Sequence, residues 1–591
     1  MGGSDGMTTL LPSAPTVAER IAAALARHHV EVVFAQSLPS AVIIACEAIG
    51  IRQIAYRQEN MGGAMADGYA RTSGKISVVC AQNGPAATLL VPPLAEALKA
   101  SVPIVALVQE VERAHADRNA FQELDHIALF SACAKWTRLL SGADRVDDYV
   151  DQAFVAAGSG RPGPAVLLLP ADLLRERGAA PALARTASFG TWPLDRFRPD
   201  RETIAAAARM IAQAKHPVVM AGGGVLPHAA SALADLQDKG HLPVFTTNMG
   251  KGAVSECHPL SCGVLGALTG PGSLGRRTRQ ILADADVVVL VGTRTNQNGT
   301  DSWRVLPSMA RYIHIDVDPL EIGRNYEALR LVGDAATTIQ ALAEALRRED
   351  LSLRASRRPE LEARVSAAWA EFDADRHLLL MRDIAPIRPE RLMAELQRLL
   401  TPETLVVADA SYSSMWVVGQ MRALAPGMRF LTPRGLAGLG WGLPLAIGAK
   451  AAKPSFRVVA VVGDGGFAHS WAELETMVRC RLPVVVIVLN NGVLAYQRDA
   501  EQVKFGAHTS ACHLGPVNHL AIAEACGCRA TRVEGPAEIA SALARALSAD
   551  EPWLVEVMTD PEAHPALSLF DGTLDVASDV PSVPRVAQGP F

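Results

Sequence analysis

Residues 458–491 place the tightest constraint on what this chain can fold into. They read as an apolar run VVAVV (458–462), the turn Gly463-Asp464-Gly465-Gly466-Phe467, a helical stretch AHSWAELETMVRC, a second apolar run VVVIVL (484–489) and the pair Asn490-Asn491. Short, fully apolar strands joined through a helix run parallel and are buried on both faces. A glycine turn leaving such a strand lets backbone N–H groups approach phosphate oxygens, and the helix N-terminus behind it favours negative charge. Gly463, Gly465 and Gly466 are therefore expected to cradle a diphosphate. The Asp464 carboxylate and the Asn491 amide oxygen, at the ends of two adjacent strands, are hard ligands suited to Mg²⁺ shared with phosphate oxygens.

The same alternation of strand and helix recurs along the chain. Runs 76–80, 104–108 and 165–169 define an N-terminal series, and 217–220, 287–291 and 313–317 a second that includes the Gly222-Gly223-Gly224 turn; 405–408, 458–462, 484–489 and 553–557 make a third. At 591 residues the chain has room for several cores, since a single domain spans roughly 100–200 residues. The expected fold is α/β, with three doubly wound parallel-sheet domains at 10–185, 200–348 and 385–560 and a C-terminal tail or lid at 561–591. An irregular Arg-, Pro- and Ala-rich linker (174–200) and a charged connecting helix (349–387) separate them. A formal net charge of −5 draws the protein to no nucleic acid. The start MGGSDGMTTLLPSAPT has no signal-peptide apolar region, and no run reaches the roughly 18 apolar residues of a membrane span. A cytoplasmic protein without membrane contact is expected. The nine scattered cysteines contain no CxxC pair and read as packing.

The GDG turn followed by Asn490-Asn491 resembles the thiamine diphosphate (ThDP) fingerprint of the acetolactate synthase, oxalyl-CoA decarboxylase and 2-hydroxyacyl-CoA lyase superfamily. The resemblance implies Asp464 and Asn491 as side-chain metal ligands and Val493 as a backbone-carbonyl ligand. The segment from Tyr56 to Arg71 (YRQENMGGAMADGYAR) looks like the family's strand end and small-residue helix, with Glu59 in the place of the buried carboxylate that points at the cofactor's aminopyrimidine ring nitrogen and promotes its imino form. Asn83-Gly84-Pro85-Ala86 is similar to an SGPG turn, Gly160-Arg161-Pro162-Gly163-Pro164 closes the first domain as in relatives, and Ala120-Phe121-Gln122-Glu123 matches an AFQE stretch whose Gln122 would face the reacting carbon. The stretch 435–442 is like the loop that bends ThDP, with Leu439 under the two rings and the Ala437 carbonyl receiving the aminopyrimidine N–H. Glu59 and the GDG turn lie on different domains. In relatives these face each other across subunits, which implies a homodimer at minimum and favours a homotetramer.

The reaction is less constrained. In relatives the middle domain holds FAD, ADP, the ADP part of CoA, or nothing. Arg276, Arg277 and Arg279 beside a glycine would suit CoA phosphates, and a solvated Arg-rich helix start explains them equally. Residues 293–300 (TRTNQNGT) depart from the acetolactate synthase pattern, so FAD is not expected. Gln36-Ser37-Leu38-Pro39-Ser40 replaces a YPGG turn, and GVLAYQRDAEQV after Asn491 looks closer to bacterial 2-hydroxyacyl-CoA lyases, with Glu501 matching their glutamate. The leading expectation is a ThDP-dependent lyase that cleaves or forms the C–C bond of a 2-hydroxyacyl-CoA, with formyl-CoA and an aldehyde or ketone as products. Glu501 would serve as the hydroxyl base. Ile127 would either limit acyl size or pack in the core. The alternatives are an acetolactate-synthase-like 2-oxoacid decarboxylase or carboligase, and a non-catalytic ThDP-binding paralogue.

Overall fold

The computed structural model describes residues 14–177 and 184–571. It contains three six-stranded sheets, and every strand pairing within them is parallel. The first runs, edge to edge, Arg52–Ile54, Val32–Phe34, Ser77–Ala81, Ile104–Glu110, Ala165–Pro170 and Trp136–Leu139. The third repeats that order with Phe430–Leu431, Thr404–Ala408, Arg457–Gly463, Val484–Asn490, Trp553–Met558 and Arg529–Val533. The middle sheet differs, running Ala328–Val332, Arg311–Asp316, Val287–Val291, Pro217–Ala221, Val244–Thr246 and Ser261–Val264. Counted within the domain this is 6-5-4-1-2-3, the dinucleotide-fold order read from its other edge. The expected doubly wound α/β class is what the chain adopts.

Apolar strands explain the layering. In Val484–Asn490, Val484, Val486 and Val488 join one core while Val485, Ile487 and Leu489 join another. Both sheet faces are thus covered, and an alternating polar pattern would fail here. The linker after residue 183 lies along the first domain, where Trp192 is buried and the Ile76 N–H donates to the Gly190 carbonyl. The connecting helix spans Ser352–Leu380. Of the tail, residues 561–571 bury Ala563, Leu567 and Phe570, and the Gly270 N–H donates to the Ala566 carbonyl. Residues 572–591, and the expected domain start at residue 10, lie outside the described residues. Among the described residues no helix is long and apolar enough to cross a membrane.

The first and third domains share a core. Helix Glu59–Ser73 packs on helix Gly442–Ala452 so closely that a Cβ on Gly68 would sit 2.1 Å from the Leu445 carbonyl oxygen, and one on Gly448 would sit 1.9 Å from that of Met65. The small residues of the first helix permit this approach. Gly448→Ala forces backbone apart and should destabilise the protein by about 1–3 kcal/mol, read as a lower urea midpoint; an unchanged midpoint would show that the helices can separate at no cost.

Candidate active site

The third sheet reverses its strand order between Thr404–Ala408 and Arg457–Gly463, and ligands in open α/β sheets bind beyond the carboxyl ends of strands at such a point. A cavity opens there. It takes the turn 463–466, Ser411 to Ser413, Ala437, Leu439, Asn491 and Val493 into one lining. Asp464 is 7% exposed; its two oxygens accept N–H bonds from Gly465 (3.0 Å) and Gly492 (2.8 Å). Burial pushes its pKa up, partly offset by those N–H groups. The Asn491 amide oxygen accepts from the Val493 N–H at 3.1 Å.

These residues fit a magnesium diphosphate. A buried carboxylate without a Lys or Arg partner is costly, and a divalent cation beside it removes that cost. Among the described residues no group of three or more His, Cys, Asp or Glu side chains is arranged to hold a metal. One carboxylate, one amide and a backbone carbonyl would leave the other positions of an octahedral ion to phosphate oxygens and water. The glycines are spatial requirements: a Cβ on Gly466 would lie 2.1 Å from an Asp409 carboxylate oxygen, and one on Gly465 would lie 2.6 Å from Leu494.

Two buried carboxylates that sequence reading missed clamp the loop 434–442 from either side. Glu96, from the first domain, accepts the N–H groups of Gly435 (2.6 Å), Leu436 (2.5 Å) and Ala437 (3.1 Å). Asp409 accepts those of Gly440 (3.0 Å), Trp441 (3.0 Å) and Gly442 (3.1 Å), while burial pushes its own pKa up. Between the clamps Ala437 is held at φ 64°, a left-handed conformation that L residues seldom adopt unless surroundings impose it. Leu439 remains 39% exposed on the cavity wall. The one sequence signal was an acidic residue inside an apolar helix (LAEALKA) and another directly after a strand.

The N-terminal site residues lie elsewhere. Glu59 is the first residue of its helix, half-buried, and makes no hydrogen bond or ion pair among the described residues. Gln122 sits at φ 63° and accepts a 2.8 Å bond from Gln82, while Asn83 donates to its carbonyl. The buried His126 supports this turn. Its Nε2 accepts the Gly84 N–H at 2.9 Å, which leaves Nδ1 to donate to Glu110 at 2.7 Å. Beyond it Phe121, Leu124 and Ile127 are exposed, so the core-packing reading of Ile127 does not hold within this chain. None of Glu59, Gln122 and Ile127 lines the cofactor cavity, whose walls come from Asn298 and from residues 389–563. Within a single chain the N-terminal candidates and this cavity thus lie apart.

Two expectations need correction. Glu501 does not line the cavity; its carboxylate accepts from Gln497 (2.8 Å), the Thr509 N–H (2.7 Å) and Cys512, and the bonds from Gln497 and Thr509 lower its pKa. A committed, weakly basic carboxylate is a poor proton acceptor. Tyr496 and Gln497 reach the cavity from the same helix, and Asp499 is buried, accepting the Tyr412 hydroxyl at 2.6 Å. Arg276, Arg277 and Arg279 likewise miss the middle-domain cavity. Arg276 pairs with Asp571 at 2.5 Å, Arg277 pairs with Glu371 and Asp375, and Arg279 lines a separate site with Asp301 and Ser568. The middle-domain cavity opens at that sheet's own reversal point, where Gly223, Gly224, Thr293, Arg294, Asp316 and Arg161 line it.

Fold and site together define a ThDP-dependent enzyme. Thiamine pyrophosphate enzyme models match in chain order: the N-terminal TPP binding domain over residues 15–129, the central domain over 204–342 and the C-terminal TPP binding domain over 409–557. The chain is 31% identical over 530 residues to a probable acetolactate synthase large subunit of Methanococcus aeolicus, covering 87% of this chain and 86% of that protein. It is 32% identical over 552 residues to the corresponding protein of Methanocaldococcus jannaschii, covering 90% of each. Against acetolactate synthase isozyme 2 large subunit of Escherichia coli the identity is 29% over 518 residues, covering 86% of this chain and 89% of that one. The chain belongs to the acetolactate-synthase-like superfamily of thiamine pyrophosphate enzymes. The similarity to acetolactate synthases favours the 2-oxoacid alternative over the 2-hydroxyacyl-CoA lyase reading.

Proposed function

We propose that the chain is a 2-oxoacid decarboxylating carboligase of the acetolactate synthase type, acting as a homodimer or a higher assembly of dimers. The observation that carries this reading is the single cavity that gathers the 463–466 turn, Asn491, Val493, Ala437 and Leu439, in a chain that aligns with acetolactate synthases over most of its length. When bound, ThDP supplies a nucleophilic thiazolium carbon and an electron sink for the bond that breaks beside the substrate carbonyl. Asp464, Asn491 and the Val493 carbonyl would hold Mg²⁺ and, with the glycine turn, the diphosphate. The Ala437 carbonyl would accept the aminopyrimidine N–H, and Leu439 would support the bent cofactor. Glu59 from a second subunit would hold the proton at the pyrimidine ring nitrogen, with Gln122 beside the reacting carbon. Ser411 and Ser413, on the same lining, would add hydroxyl donors to the diphosphate. The middle-domain cavity, with its glycine turn and Arg294, would suit the diphosphate of an adenine nucleotide such as ADP.

Glu501, the base that the lyase reading needs, accepts hydrogen bonds from Gln497 and Thr509 outside the cavity lining, which supports the 2-oxoacid reading. Mass spectrometry of reactions offered pyruvate, oxalyl-CoA and short 2-hydroxyacyl-CoA thioesters, with ThDP and Mg²⁺, separates the readings. Carbon dioxide release and acetolactate formation from pyruvate is the expected result. Turnover of only the thioesters would restore the lyase.

A further inference from the structure

Resting on the 2-oxoacid reading, we propose that Arg434 is the residue that recognises the substrate's carboxylate. Arg434 lines the cofactor cavity and, together with Asn298, also lines the middle-domain cavity, so its guanidinium stands where the two spaces adjoin. One terminal nitrogen donates to the Ser414 hydroxyl. Its Nε is enclosed and has no partner, and no carboxylate pairs with the guanidinium among the described residues. The two carboxylates whose charge reaches it, Glu96 and Asp409, are already occupied, each by three backbone N–H groups of the very loop that Arg434 begins.

A half-buried cation with an enclosed Nε and no counter-ion is costly to keep. Burial pushes the Arg434 pKa down to about 10, which still leaves it charged at neutral pH. A planar fork with uncommitted nitrogens matches a carboxylate in shape and charge, and such charge-assisted pairs are the strong ones. The chemistry could also be satisfied by the cofactor's diphosphate, which makes the two anions the arms of the test. The carboxylate of a 2-oxoacid is favoured because the diphosphate already has the glycine turn, the two serines and the metal ligands.

The test compares wild type with Arg434→Met and Arg434→Lys. For each protein, ThDP affinity is measured by quenching of tryptophan fluorescence, binding of oxamate (an unreactive pyruvate isostere) by calorimetry on the ThDP–Mg²⁺ holoenzyme, and KM and kcat with pyruvate by steady-state kinetics. Arg434→Met is expected to raise the pyruvate KM and weaken oxamate binding by roughly 10- to 50-fold, in line with a lost charge-assisted hydrogen bond. ThDP affinity should stay within about twofold, kcat should fall less than KM rises, and lysine should restore part of the loss. Unchanged KM and oxamate affinity in variants of an enzyme that does consume pyruvate would overturn the proposal alone. A collapse of ThDP affinity with oxamate binding retained would assign Arg434 to the diphosphate and overturn it too. A wild type that neither turns over 2-oxoacids nor binds oxamate would instead overturn the functional reading beneath it. If the methionine variant fails to fold, the lysine variant carries the same comparison.

Discussion

Glu59→Gln should fold normally and lose turnover by about 10²-fold or more, the scale of a lost acid–base function. The amide has the shape of the carboxylate, and the wild-type side chain makes no hydrogen bond or ion pair among the described residues, so little structure depends on it. What is lost is an acceptor able to share a proton with the cofactor's pyrimidine nitrogen. The steady-state kcat and the thermal midpoint check both halves of the statement, and an unchanged kcat would remove Glu59 from the mechanism. Mixing this variant with Asp464→Ala tests the two-subunit site directly. Random pairing gives mixed dimers with one intact site each, so about a quarter of wild-type activity should return. No recovery would place both halves of each site in one chain.

Asp464→Ala should abolish ThDP retention. Its buried carboxylate is the anion at the turn that would hold a divalent ion against phosphate oxygens, and the Gly465 and Gly492 N–H groups lose their acceptor with it. Two negatively charged phosphates would then meet the cavity without the ion that bridges them. Equilibrium dialysis with ThDP and Mg²⁺ reads the loss. Retention at wild-type strength with EDTA present would mean that the cofactor is anchored elsewhere.

Local chemistry made part of this site legible in the sequence. A turn of glycines after an apolar strand, with an acid inside it and an asparagine at the end of the next strand, carries its meaning within about thirty residues. Alternation of apolar runs with helices likewise gave three parallel sheets, because burial on both faces leaves a continuous apolar signature. The clamps were not legible. Glu96 reaches the loop at 435–437 from more than three hundred residues away, and nothing in LAEALKA reveals which N–H groups it meets. Arg434 shows the same gap: TPRGLAG reads as a turn, and only the folded chain shows its guanidinium placed between two cavities. Glu501 misled for the opposite reason. Its position along a helix was readable, but the returning strand of chain at 509–512 that captures it was not.

The close approach of Gly68 to Leu445 and of Gly448 to Met65 has a mechanical consequence. Backbone touching backbone leaves no compliant side-chain layer between the helix that begins at Glu59 and the third domain of the same chain. In a two-subunit site of the kind proposed, Glu59 serves one cofactor while Asp464 of the same chain serves the other. A displacement of that helix at one cofactor is therefore carried through the stiff joint toward the opposite metal turn, and the pair of sites would operate as two ends of one beam rather than as independent stations.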